Sequence, residues 1–176
     1  MKRILLLLLL FKVVMFAFYL LSKSKSSDGN DSKENDQNEN KDHDIDFAQL
    51  SNHPVSVSNL EKCRTSFPFS RWRQNGIEYD MEDYTQENCE AIELIFDELI
   101  ADLKILPTDA TAEDKVLLFK YAVISTNAMS ERVPGLIETG EREDLCELFD
   151  QISIAAGLEP KEFADGEGIA SEWREW

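Results

Sequence analysis

The sequence predicts a mainly α fold, a small helical bundle formed by residues 45–176. Two observations predict it. Three segments repeat apolar residues at steps of three and four, which places those residues on one face of a helix. Pro or Gly residues near the ends of these segments separate one helix from the next. A chain of this length suits one domain with one core.

The first of these segments follows Asp83-Tyr-Thr85 and extends toward Pro107, which limits the helix. Acidic residues occupy its other faces, as expected for an amphipathic helix at the protein surface. The predicted buried positions are Cys89, Ile92, Phe96, Leu99 and Leu103.

The second segment, about Glu113 to Met129, is the most apolar of the three. Thr111 and Asp114 have the spacing of a capping box, with Asp in place of the usual Glu or Gln. Apolar residues cover nearly the whole circumference, so we expect this helix to lie in the core, surrounded by the others.

The third helix is predicted to begin with Thr139 as its cap and to end at Gly157. Its apolar positions are Leu145, Leu148, Phe149, Ile152 and Ala156. Beyond Pro160, the segment Ile169–Trp176 is predicted to form a last short helix that docks Trp173 and Trp176.

Residues 45–81 have the weakest periodicity and predict an irregular or short-strand N-terminal cover on the bundle. The segments Val55-Ser-Val57 and Ile77-Glu-Tyr79-Asp-Met81 alternate like strands. On that interpretation Ile77, Tyr79 and Met81 point inward, and the intervening carboxylates form the solvated face.

Two short motifs carry a family resemblance. The segment Glu138-Thr-Gly-Glu-Arg-Glu143 and the ending Glu172-Trp-Arg-Glu-Trp176 resemble an uncharacterised family of small acidic helical bacterial domains of unknown function. The resemblance implies a small helical domain over about the last 100 residues. It implies no activity and assigns no functional residue.

Residues 1–21 are predicted to be a signal-anchor or a signal peptide. As a helix, the apolar run at residues 4–21 spans about 27 Å, close to the roughly 30 Å hydrocarbon core of a bilayer. It is also longer than the apolar region of most signal peptides. Lys12 costs roughly 2.5 to 3.5 kcal/mol on the insertion scale, which the surrounding Leu, Ile, Phe and Val residues outweigh. These residues therefore predict a membrane anchor.

Positive charges set the expected orientation of that anchor. Lys2 and Arg3 precede the apolar run while Lys23 and Lys25 follow it, so the bias toward a cytoplasmic N-terminus is slight. We expect the C-terminal domain to be periplasmic or extracellular. Small residues at 22–26 leave a second interpretation open, in which a signal peptidase cleaves the segment and the domain is secreted.

Residues 22–44 are predicted to be a disordered polar linker. They consist mainly of Ser, Asn, Asp, Lys, Glu and Gln, without aliphatic or aromatic residues, and therefore bury too little apolar surface to offset the entropy of ordering. The linker would tether the domain without fixing its orientation.

The formal net charge of the chain is −17 at pH 7, and all of it belongs to residues 45–176, because residues 1–44 hold seven basic and seven acidic side chains. A domain of this charge repels the phosphate backbone, so nucleic acid is excluded as a partner. A basic protein is the natural complement. The alternative is that the acidity serves only to keep the domain soluble.

No residue is assigned as catalytic, cofactor-binding or metal-binding. The acidic groups at 78–83 and 165–167 do not follow the spacing of a calcium-binding loop. His43 and His53 have no partners in a metal or triad pattern. Carboxylates are so abundant that a pair at catalytic distance is expected by chance. Three cysteines, Cys63, Cys89 and Cys146, fit buried thiols or one disulfide with a third thiol left over.

These observations favour a membrane-tethered extracytoplasmic acidic helical interaction module, attached through residues 4–21 and able to bind a basic protein partner. One alternative is an immunity-type or inhibitor protein that neutralises a basic toxin, since electrostatic steering accelerates capture. The other alternative is a carboxylate- or metal-dependent enzyme.

Overall fold

A computed structural model describes residues 45–176. The predicted membrane segment at residues 1–21, the predicted linker at residues 22–44 and His43 lie outside the described residues. Among residues 45–176, no helix combines the length and the apolar character needed to cross a membrane.

Five α-helices occupy the described part of the chain, which confirms the prediction of a mainly α fold. Three short 3₁₀ turns follow them. The helices are α1 (Val57–Arg64), α2 (Phe69–Tyr79), α3 (Gln86–Lys104), α4 (Ala112–Arg132) and α5 (Thr139–Ala156), and the turns are Pro160–Glu162, Ala164–Gly166 and Ile169–Glu172.

The short strands predicted within residues 45–81 are wrong, because no strand forms anywhere in residues 45–176. Residues 45–56 are irregular, but residues 57–64 and 69–79 form α1 and α2. The alternation of apolar and polar residues at 77–81 misled the prediction. The buried positions of α2 are Phe69, Trp72 and Gly76, at helical steps of three and four, and they lie before the alternating residues.

The predicted helix α3 is confirmed, and each of its five predicted apolar positions is buried. It starts after Thr85, whose side chain accepts a hydrogen bond from the Asn88 N–H at 3.1 Å. This contact satisfies one of the N–H groups that a helix start leaves without an intrahelical partner.

The predicted capping box of α4 is also confirmed. The Asp114 N–H donates to Thr111 Oγ1 at 3.1 Å, and the Thr111 N–H donates to the Asp114 carboxylate at 2.8 Å. The buried positions of α4 include Phe119 and Val123, but Leu117 is exposed. The helix therefore buries one broad face, whereas the sequence predicted burial around nearly its whole circumference.

The helix α5 differs from its prediction by one residue at its start. Glu138 is the N-cap and Thr139 is already helical. At the other end, Gly157 terminates the helix as predicted, with a φ of 84° in the left-handed region that favours glycine.

Aromatic side chains from four helices meet in the core. Phe96 of α3 lies between Phe69 of α2, with ring centroids 5.5 Å apart, and Phe149 of α5, at 4.8 Å. Phe149 in turn lies 6.5 Å from Phe119 of α4. Aromatic pairs at these separations stabilise a core beyond the area that they bury.

An irregular segment at residues 51–56, here called the strap, crosses the ends of α4 and α5. The His53 N–H donates to the Gly157 carbonyl and the Ser56 N–H to the Ala155 carbonyl, both at 2.8 Å. Lys115 is buried beneath it and donates to the His53 carbonyl at 2.5 Å and to Asn52 Oδ1 at 2.6 Å. Burial lowers the pKa of Lys115. The strap thus links the start of the domain to α4 and to the end of α5.

The C-terminal segment docks both tryptophans, as the sequence predicted, but it forms a short 3₁₀ turn at Ile169–Glu172 where a helix to residue 176 was predicted. The side-chain amide of Asn127 in α4 makes two hydrogen bonds to the backbone of this segment. Its Nδ2 donates to the Trp173 carbonyl at 2.8 Å, and its Oδ1 accepts from the Glu175 N–H at 3.1 Å.

We predict that Gly157→Ala destabilises the domain by at least about 2 kcal/mol. A left-handed non-glycine residue costs roughly 1 to 2 kcal/mol, and a Cβ at this position would also collide with the His53 backbone. Urea unfolding followed by circular dichroism measures the change.

Gly140→Ala is the matched control, because Gly140 is in the first turn of α5 and, apart from its chain neighbours and the backbone of its own helix, no atom lies within 4 Å of the Cβ position. Alanine there should raise the free energy of unfolding by roughly 0.4 to 1 kcal/mol, because it reduces the conformational freedom of the unfolded chain. Equal stability of the Gly157→Ala variant and the wild type would contradict the proposed packing of the strap against α5.

Candidate interaction surface

The chain reverses direction sharply between α2 and α3. Asp80 ends α2 with a φ of 55°, a left-handed conformation that Asp tolerates better than most residues. The Met81 N–H then donates to the Gly76 carbonyl at 3.0 Å. A side chain at Gly76 would meet Tyr84, because its Cβ would lie 2.6 Å from Tyr84 Cβ. The absence of a side chain at Gly76 therefore permits this close reversal.

The reversal leaves an acidic and apolar projection, here called the acidic tip, residues 77–83. The exposed fractions are 59% for Ile77, 66% for Tyr79 and 39% for Met81. The carboxylate residues Glu78, Asp80 and Glu82 are exposed between them. The tip thus presents three large apolar side chains and several negative charges within seven residues.

The structure corrects the predicted orientation of these side chains. The alternating sequence pattern predicted that Ile77, Tyr79 and Met81 point inward as one face of a strand. Ile77 and Tyr79 instead belong to the last turn of α2, and the inward positions of that helix are taken by Trp72 and Gly76.

The base of the tip is held firmly. Tyr84 is 2% exposed and packs edge-on against Trp72, with ring centroids 6.5 Å apart. Arg73 donates to the Tyr84 carbonyl at 3.1 Å, and Asn88 Nδ2 donates to the Asp83 carbonyl at 2.9 Å. These contacts join the tip to both α2 and α3, so its shape is set before any partner binds.

More carboxylates extend the negative surface beyond the tip. Asp83 lies against Gly135 in the connection between α4 and α5. The Tyr84 hydroxyl is buried and has no well-formed hydrogen bond within residues 45–176. Burial raises the pKa of Tyr84, and the neighbouring carboxylate of Glu141, followed by those of Glu138 and Asp83, raises it further. Negative charge from three segments therefore converges beside the tip.

The basic residues around Trp72 do not form a basic patch. Arg64 pairs with Asp97 of α3, and Arg71 pairs with Asp144 of α5. Asp144 also accepts from the Trp72 indole N–H at 2.7 Å. Both arginines therefore pair internally with acidic residues of other helices.

The clefts of the described domain include one of about 390 Å³ and one of about 310 Å³. The larger is lined by residues of the N-terminal and C-terminal segments, including Asp46, Glu162 and Glu172. The smaller lies beside the Arg71–Asp144 pair. Within residues 45–176, no three His, Cys, Asp or Glu side chains are grouped so that they could hold a metal ion.

The cysteines and His53 show no sign of a reactive or metal-binding role. Cys63, Cys89 and Cys146 are free thiols, and burial raises the pKa of each, which disfavours the reactive thiolate. His53 is exposed, and the contact from Lys115 goes to its backbone carbonyl.

Comparison of the chain with protein-family models, with curated proteins and with solved structures yields no match. The acidic tip is the strongest candidate for an interaction site of the domain, because it combines exposed apolar side chains with a rigid base and a defined charge.

We predict that Tyr84→Phe keeps or raises the stability of the domain at pH 7, by up to about 2 kcal/mol. The substitution removes a buried hydroxyl whose contact with the Glu141 carboxylate is not a well-formed hydrogen bond, and it preserves the aromatic ring. Urea unfolding measures the effect. A loss of more than about 1 kcal/mol would contradict this prediction and indicate a stabilising hydrogen bond from the Tyr84 hydroxyl to Glu141.

The pH dependence gives a second readout of the same variant. The pKa of Tyr84 is raised in the folded state, so above pH 10 the unfolded chain releases a proton that the folded chain retains. The wild type should therefore lose about 1.4 kcal/mol of unfolding free energy relative to Tyr84→Phe by pH 11.

Trp72→Phe is the contrasting variant. It deletes the hydrogen bond from the indole N–H to Asp144 and should lower the free energy of unfolding by at least about 1.5 kcal/mol at pH 7.

Proposed function

We propose that the chain is a membrane-tethered, extracytoplasmic interaction module that binds a basic protein through its acidic helical domain. One observation carries this proposal. Residues 45–176 hold 28 acidic and 11 basic side chains, and several of the basic ones are already engaged inside the domain, including Arg64, Arg71 and Lys104. The surface field that a partner meets is therefore strongly negative.

The physics of such a field favours a basic protein. Summed charge steers an oppositely charged partner toward the surface and raises the association rate. The same field opposes nucleic acid and anionic lipid, since both carry negative charge. A positively charged protein surface is the remaining common macromolecular complement.

The N-terminal sequence supports the location in this proposal. The apolar run at residues 4–21 has the length of a membrane anchor, and residues 22–44 have the composition of a flexible tether. A domain attached in this way samples partners near the membrane surface. Secretion after signal cleavage is the alternative location, and it leaves the binding proposal unchanged.

Neutralisation of a basic toxin is a special case of the same binding, in which fast electrostatic capture has a direct use. The enzyme alternative gains no support from the described residues. Interaction with a basic protein is therefore the function that the domain supports best.

We predict that the tagged full-length chain, purified from its native membranes, retains a basic protein in stoichiometric amount at about 0.15 M salt and loses it at about 1 M salt. The Debye length falls from about 8 Å to about 3 Å between these conditions, which screens surface charge. Mass spectrometry identifies the partner and gel densitometry its stoichiometry.

A chain with residues 1–44 fused to a neutral carrier protein is the control. It keeps the predicted anchor and linker but lacks the acidic domain, so it should retain no such partner. Recovery of the full-length chain without a basic protein, or with one that high salt does not release, would argue against the proposal.

A further inference from the structure

We propose that the acidic tip, residues 77–83, is the docking site for a basic protein that inserts an apolar or aromatic side chain surrounded by lysines and arginines. The inference rests on the proposed function and adds to it a location and a partner chemistry. It is argued from exposure, charge and rigidity.

The exposed apolar side chains provide the first argument. Ile77 and Tyr79 are 59% and 66% exposed and lie two residues apart at the end of α2, with Met81 directly after them. Tyr supplies a large contact area at low cost in side-chain entropy, and residues of this kind dominate binding energy at protein interfaces. Three such side chains within five residues offer apolar contacts on more than one side of the helix end.

The surrounding charge identifies the occupant. Glu78, Asp80 and Glu82 alternate with the apolar residues, and Asp83 continues toward Glu138 and Glu141 beside Tyr84. An apolar group that approaches this surface is accepted best when its own neighbours are positive. A second copy of the chain is disfavoured, because its net charge is also −17 and its tip carries the same carboxylates.

The support beneath the tip provides the third argument. The contacts of Arg73, Tyr84 and Asn88 fix the tip to α2 and α3 before binding. A preformed surface loses less conformational entropy on association than a flexible loop does. The tip therefore has the features of a binding site built on a rigid scaffold.

The test measures binding of two labelled peptides with blocked ends, Lys-Lys-Trp-Lys-Lys and Lys-Lys-Ser-Lys-Lys, to the full-length chain in phosphatidylcholine nanodiscs at about 0.15 M salt. The two peptides carry the same charge and differ in one apolar side chain. Wild type should bind the Trp peptide at least about tenfold more tightly, as expected when an aromatic side chain is buried. Empty nanodiscs measure peptide binding to lipid.

Apolar substitutions test the anchor. The double variant Ile77→Gln/Tyr79→Gln should bind the two peptides with about equal affinity. Its affinity for the Ser peptide should equal that of wild type. Ile154→Gln is the matched control, because Ile154 is 61% exposed on α5, and it should preserve the preference. A preference that survives in the double variant would overturn the proposal.

Charge substitutions separate the tip from the general field. The variant Glu78→Gln/Asp80→Asn/Glu82→Gln should bind both peptides at least about tenfold more weakly than wild type does. The control Asp109→Asn/Glu113→Gln/Glu167→Gln removes the same number of exposed charges, and Asp109 and Glu113 follow the opposite end of α3, a helix about 28 Å long. The control should bind almost as wild type. Asn at position 80 tolerates the left-handed backbone, so the fold is kept.

The outcomes distinguish the two proposals. Equal weakening of both triple variants would show binding through overall charge, which preserves the proposed function and overturns the tip as its site. Binding of neither peptide by wild type would count against both. Loss confined to the tip variants, with unchanged circular dichroism, supports the tip.

Discussion

The position of Phe96 is the constraint on which the rest of the domain depends. Its ring contacts Phe69 of α2 and Phe149 of α5, and Phe149 reaches Phe119 of α4. Phe96 is fully buried in the middle of α3. Because protein interiors are close-packed, a shift of this ring would move three other helices. The orientation of α2, and therefore of the chain that leaves its end, is set from the centre of the core.

This constraint explains why apolar side chains remain exposed at the acidic tip. Phe69, Trp72 and Gly76 occupy the buried stripe of α2. Ile77 falls outside this stripe, whereas Tyr79 continues it at the last residue of the helix and is nevertheless exposed. Because Gly76 has no side chain, Tyr84 packs directly against it, and the chain can reverse direction immediately after α2. The apolar residues of the tip thus lie beyond the last position that the core can cover. Large apolar side chains grouped in this way often mark a protein–protein interface.

Regular periodicity and local capping made most of the bundle predictable. Cys89, Ile92 and Phe96 revealed the buried face of α3, and Thr111 with Asp114 marked the start of α4, because these signals depend on neighbours three or four residues away. The tip was not predictable in the same way. Its alternating residues fit a strand equally well, and only the packing of Trp72 and Gly76 decides between the two. Local sequence does not contain that long-range contact.

Charge and apolar contact play different parts in the proposed binding. A field from 28 acidic side chains attracts any basic protein, so it accelerates encounter but selects poorly among basic partners. Selection of one basic partner over others requires contacts that only that partner can make. Differences in affinity between related complexes lie mostly in the dissociation rate. The exposed Ile77 and Tyr79 supply such contacts between exposed carboxylate residues. A partner that matches both the charge and the apolar anchor would therefore remain bound at ionic strengths that release other basic proteins.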